Sequence, residues 1–258
     1  MKKTLIEKTA DKLVNAFVNN KIISPLPAKF TKTLSEAQKL RKLCESKVKD
    51  PIIGFKAAGT GIPVMKKLKE KKPFYASIFK NNFIKSGQKV KINKSTLGIE
   101  LEVCYLVKKS FFSSKGLITM SNVTKYISHM APCIEVIGYR QRKKGITSFG
   151  DLCSDFGANV KFLIGKKQKY KKINIGNLKT NINNKKINQS VDGNTSTVYI
   201  NPLNALRFVL NELKKDKINL SKDFYVFTGS TVGVVPILGK GLYTGKVDSL
   251  GSAKAIIC

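Results

Sequence analysis

The first fifty residues carry apolar positions at helical spacing. Residues 3–19 repeat large aliphatic or aromatic side chains every three or four positions, which predicts an amphipathic helix. A proline-containing link follows, and Thr33 and Glu36 fit a capping box that opens a second helix running to about Lys47. Residues 1–50 are therefore predicted to form an N-terminal helical lobe.

From residue 51 onward the apolar runs shorten and glycine becomes more frequent, which is typical of β-structure. Strands are predicted over residues 52–56, 73–79, 89–93, 97–107, 132–139, 161–164 and 223–228, with polar surface strands within 166–188. Helices are predicted over residues 64–70 and 121–130 and from Pro202.

Few of these strands are separated by a full helix, which argues against a doubly wound parallel sheet. The pattern predicts an α+β fold: a mixed β-sandwich or β-roll with helices packed outside it. Residues 51–258 are expected to form this β-roll as a single structural unit that follows the helical lobe.

Three glutamates interrupt apolar strand-like runs. Glu100 and Glu102 lie in the run from Ile99 to Val107, and side chains at positions i and i+2 of a strand point to the same face. Glu135 lies in a second apolar run. The chain has only 16 acidic residues against 48 basic ones, so burying three carboxylates requires a compensating positive charge.

Two kinds of positive charge would compensate these glutamates: lysine side chains or a divalent cation. Each glutamate taken singly favours ion pairing with lysine, whereas the three together favour Mg²⁺ or Mn²⁺. Three carboxylates would fill about half of the roughly six coordination positions of such an ion. The remaining positions would be left for water and for a chelating 2-oxo acid, which the cation would polarise as a Lewis acid.

Other candidate site residues are less distinctive. Lys56 precedes a run of small residues that would let a ligand approach, and its charge could hold a bound carboxylate or enolate. Thr228, Gly229 and Ser230 form a turn whose backbone N–H groups could cradle a carboxylate. The single histidine, His129, is interpreted as structural.

The formal net charge of +32 raises the question of nucleic-acid binding. Nearly all of the positive charge comes from lysines scattered along the chain. Proteins that recognise bases in the grooves of nucleic acids favour arginine instead. A solvated basic surface is therefore favoured over a nucleic-acid interface. The five cysteines form no C-x-x-C pair, and no signal peptide or membrane-spanning stretch is evident. A cytoplasmic protein without a membrane partner is expected.

Several segments together resemble the 2-keto-4-pentenoate hydratase family of the fumarylacetoacetate hydrolase superfamily. Their order and spacing match over nearly the whole chain. The matching segments are Gly54–Thr60, Ile99–Glu102, Pro132–Val136, Phe162–Gly165, Asn201–Leu206, Phe227–Ser230 and Gly251–Ser252.

This resemblance implies a mixed β-sandwich roll, a Mg²⁺ or Mn²⁺ site on Glu100, Glu102 and Glu135, and a substrate role for Lys56 and the turn at 228–230. It also implies a homo-oligomer. The implied reaction is the addition of water to 2-hydroxypenta-2,4-dienoate to give 4-hydroxy-2-oxopentanoate, or alternatively the decarboxylation of 4-oxalocrotonate.

Three positions depart from the family pattern. Ala58 stands where the family has its second glycine near the lysine. Phe74 stands where the family commonly has an acidic residue, and Gly138 stands where an aspartate usually begins an Asp-Ser-Arg pattern. A catalytically altered homologue is therefore a third hypothesis. A basic nucleic-acid-binding protein is a fourth hypothesis, from a different class.

Overall fold

The computed structural model describes residues 3–258. The helices are α1 (Leu5–Val18), α2 (Leu34–Lys47), α3 (Ile62–Lys67), α4 (Phe149–Ser154) and α5 (Pro202–Lys215). The strands are β1 (Ile52–Ala58), β2 (Phe74–Phe79), β3 (Phe83–Lys85), β4 (Lys89–Val90), β5 (Thr96–Val107), β6 (Ile127–Gly138), β7 (Asn159–Ile164), β8 (Gln168–Lys169), β9 (Lys179–Asn184), β10 (Gln189–Asn194), β11 (Phe224–Ser230), β12 (Gly241–Val247) and β13 (Gly251–Ile257).

The longer helices begin where their capping residues predict. The Thr33 hydroxyl accepts a hydrogen bond from the Glu36 backbone N–H at the start of α2. The Asn201 side chain caps α5, and Pro202 occupies the first helical position, where its missing N–H costs nothing. These caps satisfy backbone donors that the first helical turn leaves without a partner.

The strands form two mixed sheets, and the predicted α+β fold is confirmed. The larger sheet has the order β2-β1-β11-β5-β6-β7-β3, with β8 paired to the end of β6. The smaller sheet has the order β10-β9-β12-β13-β4. Most neighbouring strands are antiparallel, while β1 pairs with β11, β3 with β7 and β13 with β4 in parallel.

The main hydrophobic core lies between the two sheets and beneath α5. Alternate residues of β5, including Leu101 and Val103, point into this core, as do Ile134 and Val136 of β6. The intervening residues of both strands point to the opposite face of the larger sheet. The N-terminal helices pack against that side through separate apolar clusters that include Phe79 and Phe156.

The predicted helix over residues 121–130 is wrong. Val123–Tyr126 form a single 3₁₀ turn, and β6 begins at Ile127. Residues His129 and Met130 pair with β5 on one side and β8 on the other. The sheet satisfies their backbone hydrogen-bonding groups, and this long-range pairing outweighs the weak local preference for a helix.

Polar strands do occupy part of the lysine- and asparagine-rich stretch over residues 166–188. β9 and β10 form an antiparallel hairpin, and a 3₁₀ turn at Lys185–Ile187 joins them. Asn188 adopts a left-handed backbone conformation with φ of 51°, which asparagine tolerates better than most residues. The hairpin brings β10 alongside the cavity described below.

Candidate metal centre and active site

The register between β5 and β6 brings the three glutamates together. Glu100 lies directly opposite Glu135 in the antiparallel pair, and Glu102 lies two residues farther along the same face of β5. Neighbouring strands in a sheet are only about 5 Å apart, so side chains on this shared face must converge. One carboxylate oxygen from each of the three residues lies within 4.8 Å of the other two.

Lys56 reaches the same cluster from β1. Its ammonium nitrogen lies 2.6 Å and 2.7 Å from the two carboxylate oxygens of Glu135, and 3.3 Å from the Gly157 carbonyl oxygen. Both side chains of this ion pair are buried. One ammonium thus faces three carboxylates, and the cluster carries an excess of negative charge when all three are ionised.

Glu102 has one oxygen paired and one oxygen free. Its Oε2 accepts a hydrogen bond of 2.8 Å from the Gly229 backbone N–H. Its Oε1 is buried and meets no hydrogen-bond donor within residues 3–258. A buried carboxylate oxygen without a donor is costly, and a bound cation would remove that cost.

Burial and mutual repulsion shift the pKa values of the cluster. Burial raises the pKa of Glu100 to about 7, with Lys56 acting in the opposite direction and Glu102 adding to the rise. Burial also raises the pKa of Glu102 and raises that of Glu135 well above its usual range. The pKa of Lys56 is raised as well, because attraction to the three carboxylates outweighs its own burial.

The donor set fits a hard divalent cation. Three convergent carboxylates, one of them with a free buried oxygen, match the all-oxygen ligands that Mg²⁺ and Mn²⁺ prefer. A cation there would favour the ionised carboxylates, whose pKa values are raised by burial and, for Glu100 and Glu135, also by repulsion from the neighbouring glutamates. The ion pair between Lys56 and Glu135 offsets only part of that repulsion.

A cavity of about 570 Å³ opens beside the cluster. Lys56, Glu100 and Glu102 line it, whereas Glu135 lies behind them against the lysine. This volume lies within the range of roughly 300–1,000 Å³ that holds small organic ligands. The carboxylate cluster therefore has space next to it for a reactant.

The turn at residues 228–230 contacts Glu102 through the Gly229 N–H. The Thr228 hydroxyl donates to the Val103 carbonyl oxygen, and the Ser230 hydroxyl donates to the Gly233 carbonyl oxygen. Gly229 and Ser230 line the cavity, whereas the buried Thr228 does not. The protons of both hydroxyls are thus engaged with backbone carbonyl oxygens.

The hydrogen bond from the Gly229 N–H to Glu102 forms where the β5–β11 pairing is interrupted. The pairing register shifts between Phe227 and Ser230, which frees the Gly229 N–H to reach a side chain. Gly229 has a φ of +103°, and an added Cβ would lie 1.8 Å from Thr60 Oγ1. Only glycine fits this position without displacing its neighbour.

Two residues beside the site were not singled out from the sequence. Thr60 is buried against Gly229 and lines the cavity, and the small-residue run after Lys56 was the signal that could have indicated it. Gly157 offers its carbonyl oxygen to Lys56 from a short 3₁₀ segment. No sequence pattern connects Gly157 with Lys56, because 101 residues separate them.

Two of the departures from the family pattern, Phe74 and Gly138, lie in closely packed surroundings. Phe74 is buried and stacks edge to face on Phe149, with ring centroids 5.8 Å apart. Gly138 ends β6, and an added Cβ there would lie 2.8 Å from a Val160 methyl carbon and 2.9 Å from the Ser95 carbonyl oxygen. A side chain at Gly138 would collide with its neighbours, and a carboxylate at position 74 would lie in an apolar cluster without a positive partner among the cluster residues.

His129 lies outside the cavity. It is half-buried on β6, where its cross-strand neighbours are Leu106 and Lys169. It does not line the cavity next to the carboxylates.

No protein-family model matches the sequence, and no curated protein matches it. Solved structures do share the fold. The 4-oxalocrotonate decarboxylase from Pseudomonas putida G7, complexed with magnesium and adipate, aligns with a TM-score of 0.84 and 19% identity over 98% of this chain and 97% of that chain. The same enzyme complexed with calcium and acetate aligns with a TM-score of 0.84 and 19% identity over 100% of this chain and 99% of that one.

A more distant match is the 5-carboxymethyl-2-hydroxymuconate delta-isomerase from Mycobacterium smegmatis. It aligns with a TM-score of 0.57 and 13% identity over 81% of this chain and 80% of that chain. A putative fumarylacetoacetate hydrolase family protein from Yersinia pestis CO92 aligns with a TM-score of 0.58 and 13% identity over 82% of this chain and 95% of that chain. At these identities the similarity establishes the fold of this chain.

None of its described helices has the length and apolar character needed to cross a membrane.

Proposed function

We propose that this protein is a metal-dependent lyase that acts on a small 2-oxo or 2-hydroxydienoic acid. The reaction favoured is hydration of a 2-hydroxypenta-2,4-dienoate-type substrate to a 4-hydroxy-2-oxo acid. One observation carries this proposal: carboxylate oxygens of Glu100, Glu102 and Glu135 converge within 4.8 Å of one another beside a ligand-sized cavity, and Lys56 and two of the three glutamates line that cavity.

The three glutamates would hold the cation, which we propose to be Mg²⁺ or Mn²⁺. When bound, such an ion supplies Lewis-acid polarisation of a 2-oxo group. The Gly229 N–H orients Glu102 so that its Oε1 stays available as a ligand. Glu100 adds a second oxygen donor from the same face of β5.

Lys56 would act as a hydrogen-bond donor and a fixed positive charge. Its raised pKa keeps the ammonium protonated at neutral pH, so it stabilises negative charge developing on the substrate rather than removing a proton. The Gly157 carbonyl oxygen and Glu135 fix the position of the ammonium. The mostly apolar cavity walls limit water around the reacting atoms.

Decarboxylation of a 4-oxalocrotonate-type acid is the second candidate. The observation in its favour is the shared fold with a 4-oxalocrotonate decarboxylase over 98% of the chain. The chemistry proposed at the three glutamates and Lys56 would serve both reactions, because both pass through a 2-oxo acid whose enolate must be stabilised.

The test is to follow the ultraviolet absorbance of 2-hydroxypenta-2,4-dienoate with purified protein and added Mg²⁺ or Mn²⁺. We expect metal-dependent loss of the dienol absorbance in the wild type and its abolition by Glu102→Gln. The matched control is Glu70→Gln, which removes a carboxylate outside the cavity and should leave the rate unchanged.

Other results of these assays would support a different function. Release of carbon dioxide from 4-oxalocrotonate without hydration activity would identify the second candidate. Mn²⁺ binding without turnover of either substrate would identify a catalytically altered homologue. Salt-sensitive binding of duplex nucleic acid, with no metal bound by the wild type, would contradict the enzymatic proposal.

A further inference from the structure

The cavity is poor in positive charge although the chain is rich in it. Lysine and arginine account for 48 of the 258 residues. Among the described residues that line the cavity, 25 in all, Lys56 is the single basic one. The cavity lining therefore contains a much smaller share of basic side chains than the chain as a whole.

The one ammonium in the cavity is already engaged. Lys56 contacts both carboxylate oxygens of Glu135. The other charged residues of the lining are acidic: Glu100, Glu102 and Asp192. Asp192 is exposed on β10, where its carboxylate accepts a hydrogen bond of 2.7 Å from the Asn181 side chain.

The wall away from the carboxylates is apolar. Its side chains come from several separate segments of the chain, and they include Val64, Leu97, Ile137, Ile146, Leu152 and Val234. The cavity of about 570 Å³ is larger than a five-carbon acid requires. The additional space is therefore bounded mainly by hydrocarbon, with serine and threonine hydroxyls and the Asp192 carboxylate as its polar groups.

We propose that the cavity selects 2-oxo or 2-hydroxydienoic acids that carry a single carboxylate and an uncharged, apolar tail. This inference rests on the proposed function for the position of the 2-oxo acid head at the glutamate cluster. A second carboxylate on the tail would lose its hydration among apolar side chains without meeting a cation. Asp192, which also lines the cavity, would add like-charge repulsion.

The test measures binding rather than turnover. Isothermal titration calorimetry first establishes that the wild-type protein binds Mn²⁺. The Mn²⁺-loaded protein is then titrated with 2-oxobutanoate, 2-oxohexanoate, 2-oxooctanoate and the dicarboxylate 2-oxohexanedioate. We expect Kd to fall about fourfold for each buried methylene. The dicarboxylate should bind about tenfold or more weakly than 2-oxohexanoate.

A cation placed on the apolar wall should change this preference. Val64 is 43% exposed, so Val64→Lys can be introduced without disturbing the core. It should improve binding of 2-oxohexanedioate relative to 2-oxohexanoate by up to about fivefold. Leu117→Lys is the matched control, because Leu117 is 77% exposed and lies outside the cavity while the added charge is the same.

The outcomes separate this inference from the function on which it rests. Failure of the wild type to bind Mn²⁺ would overturn the proposed function, and the substrate assignment with it. Mn²⁺ binding together with equal or tighter binding of the dicarboxylate would overturn only the substrate assignment. The same holds for a Kd independent of tail length, or for equal effects of Val64→Lys and Leu117→Lys.

Discussion

Replacing Lys56 with methionine should expose the electrostatic cost of the glutamate cluster. The ammonium lies 2.6 Å and 2.7 Å from the two oxygens of Glu135, and both side chains are almost completely buried. Methionine keeps most of the length and the apolar volume of the lysine stem. The substitution therefore removes the positive charge while largely preserving the packing.

The magnitude follows from removing one partner of a buried ion pair. Such a change typically lowers the free energy of unfolding by about 3–5 kcal/mol, because the remaining charge is left without compensation. Here Glu135 would remain beside Glu100 and Glu102, whose charges repel it. We expect Lys56→Met to cost about 3–5 kcal/mol in the metal-free protein at pH 8.

The cost should depend on pH in a definite direction. The folded-state pKa values of all three glutamates lie above the usual 4.5, and loss of Lys56 raises them further because the lysine lowers each one. The stabilising effect of protonation is present below about 4.5 and is lost as pH rises through the folded-state values, about 7 for Glu100 in the wild type. At pH 5 the deficit should therefore shrink to about 1–2 kcal/mol.

Urea unfolding of the metal-free wild type and variant at pH 5 and pH 8 measures these differences. Saturating Mg²⁺ should recover part of the lost stability at pH 8, since a bound cation replaces the missing positive charge. Lys254→Met, at an exposed position of β13, is the matched control and should change stability by less than about 0.5 kcal/mol. A deficit that is the same at both pH values and with or without Mg²⁺ would refute the reasoning.

Three further substitutions test other parts of the site. Glu100→Gln should raise the free energy of unfolding of the metal-free protein by about 3 kcal/mol at pH 8, because its carboxylate ionises with a pKa of about 7 instead of 4.5. Urea unfolding should show no gain at pH 4, and an equal gain at both pH values would contradict this origin. Gly229→Ala should weaken Mn²⁺ binding and destabilise the protein by roughly 1–3 kcal/mol, because its Cβ would collide with Thr60. Gly87→Ala shares the positive φ but meets no atom within 4 Å, so calorimetry should show unchanged Mn²⁺ binding in that control. Phe74→Ala should cost about 3–5 kcal/mol in urea unfolding, and a loss under 1 kcal/mol would show that its contact with the neighbouring aromatic ring contributes little.

Sequence patterns were informative wherever the deciding interactions are local. The capping residues Thr33 and Asn201 correctly indicated where two helices begin, since a cap acts on the N–H groups of the next turn. The alternation of side chains along a strand correctly placed Glu100 and Glu102 on one face. The helix predicted over 121–130 failed because pairing with β5 and β8, distant in sequence, decides the structure of that segment.

The tertiary structure alone decided how the site is assembled. The register that sets Glu135 opposite Glu100 and the reach of Lys56 from β1 join segments up to 79 residues apart. The apolar cavity wall is likewise collected from separate loops and strands. The amino-acid sequence by itself determined which residues could bind a cation and which faces of the strands they occupy, because those properties belong to single elements. The meeting of these residues beside one cavity was decided by sheet pairing and packing, whose energies depend on contacts that no local pattern contains.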